Sequence, residues 1–156
     1  MPDVALTRAV GTPTGAALDV AHSWGTLDLA LAPRRVGVRA TLPGLTAVAG
    51  RANLAQALIV RLLTPRGSLA DLGHPTYGSR LGELIGHRND VGARNLARLY
   101  VLEAIGQEPR VAELRALAAG TDPGRPDVVV IEFSVVPIPA IDPSGDPLAL
   151  SLEVVA

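Results

Sequence analysis

The chain contains no cysteine and no lysine. Without cysteine there is no thiol nucleophile, no iron–sulfur cluster and no thiolate zinc site, and no redox compartment can be read. Without lysine, a phosphate-loop lysine, a Schiff base and a kinase-type strand lysine are all excluded. Aromatic residues are nearly absent as well. Trp24, Tyr77, Tyr100 and Phe133 are the whole set, which leaves little to stack on nucleobases or sugar rings. No apolar run approaches the ~18 residues of a membrane-spanning helix, and the N-terminus lacks the basic segment and apolar stretch of a secretory signal. An excess of positive charge is missing too: 14 basic residues face 15 acidic ones, for a formal net charge of −1. A nucleic-acid footprint needs the opposite balance. These absences point to a soluble protein made in the cytoplasm, with no nucleic-acid partner and no direct membrane insertion.

What is present fits one domain, because 156 residues fall within the usual ~100–200 for a single unit. All 14 basic residues are arginine, alongside 16 Gly and 13 Pro, a bias that GC-rich coding accounts for. Residues 1–25 are rich in Ala, Gly, Thr and Pro without a sustained period, and read as an N-terminal arm ahead of a domain over 26–156. Around Pro33-Arg34-Arg35, the segments Leu27–Leu31 and Val36–Ala40 alternate as the arms of a hairpin would. From Leu54 the period changes. Leu54, Leu58 and Leu62, with Ala55, Ile59 and Leu63, form a helical stripe that Asn53 and Gln56 begin as a capping box and Pro65 ends.

The stretch from Pro65 to Ser79 holds too many breakers for regular structure and predicts a long loop, of the kind that often carries function. A short helix is expected over Arg80–Ile85 with Leu81, Leu84 and Ile85 inward. After the cap pair Asn89-Asp90 a longer helix runs to about Gln107, with Leu96, Leu99, Tyr100, Leu102 and Ile105 inward. Val111–Leu117 has helical propensity yet also alternates. Asp127–Ile138 is strongly β-branched, and Leu148, Leu150, Leu152 and Val154 alternate with smaller or polar residues, so two strands joined through Asp142-Pro143-Ser144-Gly145 are expected.

Chemistry is hard to find in these elements. His22, His74 and His87 are not spaced as metal ligands, no Ser sits in a Gly-x-Ser-x-Gly elbow, and no cofactor or metal is expected. Glu83, Glu103, Glu108 and Glu113 could supply the paired carboxylates of a glycosidase, but the lining aromatics of a sugar groove are lacking, and solvated helix faces and ion pairs account for them. One residue breaks a local rule. Glu108 lies at the end of the long helix, where the dipole disfavours an acid by ~0.3–1 kcal/mol, and Pro109 then stops the helix beside Arg110. Either Arg110 answers Glu108 locally or the charge has a partner elsewhere.

Four ordered blocks carry a resemblance. Asn53–Leu58, Arg61-Leu62-Leu63-Thr64-Pro65-Arg66-Gly67, His74-Pro75-Thr76-Tyr77-Gly78-Ser79-Arg80-Leu81 and Glu108-Pro109-Arg110-Val111 resemble the baseplate wedge and sheath-initiator family of contractile phage tails. The family is also called tail-lysozyme-like, and similar proteins occur in type VI secretion systems, R-type bacteriocins and extracellular contractile injection systems. The likeness spans residues 27–155, and the first 25 have no counterpart in it.

The resemblance implies a structural, non-enzymatic role: a platform for the first sheath ring, linking baseplate to sheath, within a sixfold ring of copies. It implies that Glu108, Pro109 and Arg110 meet the helical core bundle that joins wedge proteins. Thr64, Pro65, Gly67, His74, Pro75, Tyr77, Gly78 and Arg80 form the family-motif loop. It implies strand pairing with sheath subunits, for which the terminal strand (Leu148, Leu150, Leu152, Val154) and the hairpin near Leu27–Ala40 are the candidates. The protein would be cytoplasmic at synthesis and then incorporated into the baseplate of the particle. It also turns Val111–Leu117 into a strand, giving an α+β domain with a mostly antiparallel sheet packed against two main helices and a short one. The lysozyme label matches no catalytic motif here; a peptidoglycan-degrading tail lysozyme using paired carboxylates is the rival expectation.

Overall fold

Leu54, Leu58 and Leu62 recur every four residues, and in the computed structural model all three are fully buried on one helix, as a helical stripe must be to hide its apolar side chains from water. The structure describes residues 47–155 in full, and ahead of them only the backbone of short strands. In chain order the elements are β1 (Asp3–Val4), β2 (Leu6–Arg8), β3 (His22–Ser23), β4 (Leu27–Leu29), β5 (Leu31–Val36), β6 (Ala40–Leu45) and β7 (Ala47–Val48). They continue with α1 (Gly50–Leu63), 3-10 turns at Ala70–Leu72 and Leu81–Leu84, α2 (Val91–Ile105), β8 (Val111–Asp122), β9 (Arg125–Pro137) and β10 (Leu148–Val155). The class is α+β.

Three long antiparallel strands make the main sheet, in the order β10-β9-β8, and β3 adds a two-residue parallel pairing to the outer edge of β10. Leu148 faces Val135 and Val155 faces Val128 across β9 and β10. Because side chains alternate along a strand, Val129, Ile131, Phe133 and Val135 share the inner face with Leu148, Leu150, Leu152 and Val154, and all are buried against α1 and α2. Val111–Asp122 is strand although its Ala, Leu and Glu favour helix; pairing with β9 over its whole length outweighs propensity. Register shifts at Val111/Glu113 and Leu114/Ala116 mark bulges along this outer strand.

Four details differ from the sequence reading. The helix α1 starts at Gly50, with Ala49 as an N-cap that makes no side-chain bond. Asn53 lies inside the helix and is buried, its Oδ1 accepting 2.7 Å from Arg110 Nη1, so the capping box does not form. The short helix is a 3-10 turn, Leu81–Leu84. Its three-residue period stacks Leu81 over Leu84 in the core and turns Ile85 out, 54% exposed.

The face of α2 also differs. Asp90 caps it as expected, Oδ1 accepting from Ala93 N at 2.8 Å, and Tyr100 and Ile105 are buried. However, Leu96, Leu99 and Leu102 are 41, 55 and 52% exposed, while Ala93, Ala97, Val101 and Ala104 pack inward. Small residues on that stripe let α2 lie close to its neighbours, which Leu at the same positions would prevent. Finally, β5 pairs antiparallel with β6 from Leu31–Leu45 to Val36–Ala40, so a hairpin forms there, but Pro33-Arg34-Arg35 belong to its strand and not to its turn. The side chains of that hairpin, and the arm over residues 1–25 apart from its short strand backbones, lie outside the described residues.

Candidate functional site

The loop after α1 is long but tightly held. Pro65 forces Thr64 into extended geometry (ψ 125°), and the chain returns to bond its own start: Ser79 N donates to Thr64 O at 2.8 Å, and Arg66 N donates to Ser79 O at 2.9 Å. Ser79 Oγ, buried, donates to Leu62 O at 2.6 Å. Gly78 is required at the crossing. Its φ is +103°, and a Cβ there would stand 2.5 Å from Thr64 O and 2.9 Å from Pro65 C and O. The motif residues Thr64, Pro65, Gly67, Tyr77, Gly78 and Arg80 therefore build one closed loop, with His74 and Pro75 exposed at its far end.

That loop covers a cluster of charges inside the domain. Glu108 is only 6% exposed. One carboxylate oxygen accepts from Arg61 Nη2 at 3.3 Å, the other from Arg110 Nε at 2.6 Å. Arg110 continues to Asn53, and Arg61 stacks over the Tyr77 ring at 4.5 Å. Burial pushes the Glu108 carboxyl upward, but the side-chain and backbone hydrogen bonds and charge of Arg110, with the charge of Arg61, outweigh it and hold the group below the usual range. Beside the cluster lies an open pocket of about 560 Å³ lined by Arg61, His74, Pro75, Thr76, Tyr77 and Gln107.

The four sequence blocks thus meet in space: Asn53, Arg61 with Tyr77, and Glu108 with Arg110 form one connected network. The rule-breaking charge at the end of α2 is answered within the chain. Glu108 offers another molecule no exposed charge, whereas Pro109 is exposed and Arg110 is half-buried. Asn53 and Arg61 were not assigned these partnerships from sequence. A usable signal was Arg61 on the otherwise apolar side of α1, because a cation there needs a counter-charge. On β10, Leu148, Leu150, Leu152 and Val154 point into the core, so contacts made from this strand would use its backbone or Ala149, Ser151 and Glu153.

Comparison with known proteins adds the fold. No family model matches the chain, and no curated protein does. A solved structure does match. It is a protein of Geobacter sulfurreducens provisionally assigned as a tail lysozyme, with a TM-score of 0.53, 19% identity, and coverage of 66% of this chain and 87% of that one. At that identity the likeness establishes a shared α+β fold.

The remaining acids weighed as catalytic are tied to arginine. Glu83 takes both Nε and Nη2 of Arg80 at 2.9 and 2.8 Å, under an Arg80 guanidinium that stacks on Tyr100 at 4.6 Å. The hydrogen bonds from Arg80 draw its carboxyl below the usual range. Glu103 pairs with Arg66, and Glu113 with Arg115. Among the described residues no group of three His, Cys, Asp or Glu could hold a metal ion.

Proposed function

We propose that this chain is a structural baseplate component of a contractile injection system, forming the platform on which the first sheath ring polymerises and linking baseplate to sheath. The observation that carries the reading is the convergence of the four motif blocks on one internal charge network. Glu108, held by Arg61 and Arg110, works as an anchor. It fixes the corner at which Pro109 is exposed and Arg110 half-buried, and that corner would seat the helical core bundle of the wedge. The fold shared with the Geobacter protein supports a tail-related origin. For sheath docking the reading offers backbone edges: among the described residues β8 is the outer strand of the main sheet, and β10 is paired on its outer side at Leu152 and Glu153.

The name of the Geobacter protein favours a second reading, a peptidoglycan-degrading tail lysozyme. A glycosidase needs one carboxylic acid with a raised pKa. Glu83 and Glu108 are both shifted the other way, which supports the structural role. Two experiments separate the readings. Pro109→Gly, which leaves the Glu108–Arg110–Asn53 bonds in place, should give a folded protein that no longer enters baseplates; normal incorporation would refute the corner's role. Purified cell walls incubated with the protein should stay turbid, and clearing abolished by Glu83→Gln or Glu103→Gln would establish the enzyme instead.

A further inference from the structure

The exposed face of α2 has the character of a docking surface. Leu96, Leu99 and Leu102 follow one another at three-residue steps, which on an α-helix spreads them over an arc of ~120° on one side. All three are more than 40% exposed, and the opposite side of the helix is already committed to the core through Ala93, Ala97 and Ala104. Isolated exposed leucines need no explanation, but three contiguous ones on a rigid helix are a patch.

Its charge is equally distinctive. Arg51, Arg61, Arg66, Arg80, Arg110, Arg115 and Arg125 each pair with a carboxylate. Among the described residues, Arg88, Arg94 and Arg98 do not. Arg94 donates only to Asn89 and Thr121, and Arg98 only to Asn95 and the Ala119 carbonyl. Arg94 and Arg98 stand one turn apart and border the Leu102 side of the stripe, while Arg88 stands just before the helix. Two of the three cations of the described domain that lack an acid, Arg94 and Arg98, thus border its apolar stripe, while Glu103, which enters the stripe between Leu96 and Leu99, is paired with Arg66.

We propose that this face docks an amphipathic helix of another protein whose apolar stripe is flanked by Asp or Glu. Such a helix would cover Leu96, Leu99 and Leu102 and supply the carboxylates that Arg94 and Arg98 lack. The chain's own N-terminal segment fits poorly, since residues 1–46 carry Arg8, Arg34, Arg35 and Arg39 against Asp3, Asp19 and Asp28. A second copy would set one basic face against another. An anionic membrane calls for ~4–8 clustered cations and for Trp or Phe on the apolar side, and this face has neither. The inference rests on α2 alone and stands apart from the baseplate reading.

The test uses the full chain and two designed helical peptides with the same leucine stripe, one flanked by Glu and one by Lys, titrated by fluorescence anisotropy. The Glu peptide should bind at least about tenfold more tightly than the Lys peptide, and its binding should weaken as salt rises. Leu99→Glu should abolish binding while leaving the circular dichroism unchanged; Arg94→Glu with Arg98→Glu should reverse the preference. Equal binding of both peptides, no binding, or binding that survives Leu99→Glu would overturn the proposal. So would association with phosphatidylserine-rich vesicles or a concentration-dependent dimer, either of which Leu99→Glu abolishes.

Discussion

Replacing Glu108 with alanine is the most informative perturbation of the internal network. The carboxylate is 5% exposed at its side chain, and it serves Arg61 at 11% and Arg110 at 30%. Removing one partner of a buried ion pair costs ~3–5 kcal/mol, chiefly because the remaining charge is stranded. Here the stranded charge is Arg61, whose Nε already lacks an acceptor; Arg110 retains Asn53 and reaches water. We therefore expect a loss of about 3 kcal/mol, a large part of the ~5–15 kcal/mol that holds a domain together. In urea the midpoint should fall by roughly 1–3 M, given slopes of ~1–3 kcal/mol/M. Replacing the pair together, Glu108→Met with Arg61→Met, should restore most of the loss, because no deeply buried charge is left stranded and Arg110 keeps Asn53 and water.

The same carboxyl sets a pH signature. Its folded pKa is lowered, so its contribution is complete above the unfolded value of ~4.3 and is lost as pH falls through the folded value. The deficit of Glu108→Gln should accordingly be full at pH 7 and shrink below about pH 4. If Glu108→Ala changed stability by less than about 0.5 kcal/mol, within the range of ordinary surface substitutions, the carboxylate would be solvated and the anchor role wrong.

Other substitutions probe the remaining supports. Gly78→Ala, with its Cβ 2.5 Å from Thr64 O, should cost more than about 2 kcal/mol by differential scanning calorimetry, since both the φ and the contact are strained. Leu58→Ala, at a fully buried position, should cost ~2–5 kcal/mol, while Leu99→Ala should stay within ~0.5; equal losses would refute the orientation of α2. Asp142, drawn down to about 2 by the Arg51 hydrogen bond and then by Ser144, ties the β9–β10 connection to the start of α1. Asp142→Asn should speed amide exchange at Ser144 and Asp146 at neutral pH, with the difference from the parent present above pH ~3.9 and vanishing as pH falls through 2.

How much was legible follows from where side chains compete. The strands β9 and β10, the end of α1 and the start of α2 lie close to where Val and Ile runs, Pro65 and the Asp90 cap put them, because those signals are local. The start of α1, by contrast, is placed by sequence at the Asn53 capping box, which does not form. The inward face of α2 was not legible from hydropathy. Leu outweighs Ala on any such scale, yet Ala93, Ala97 and Ala104 are what fits against the core, and only the packing distance decides that. Glu108 was legible as an anomaly and not as a solution, since Arg61 lies 47 residues away in sequence and nothing local pairs them. The strand at Val111–Asp122 needed a family likeness, because long-range pairing overrode propensity there.

The central claim is that the chain is a part of a sheathed particle and works by holding surfaces. It is tested most directly by deleting its gene in a cell that makes it and imaging the particles by electron microscopy. The account predicts baseplates or bare tubes without sheath, rescue by the parent gene, and the chain at the base of the rescued particles in a multiple of six copies. Sheathed particles of normal length from the deleted cells would contradict it.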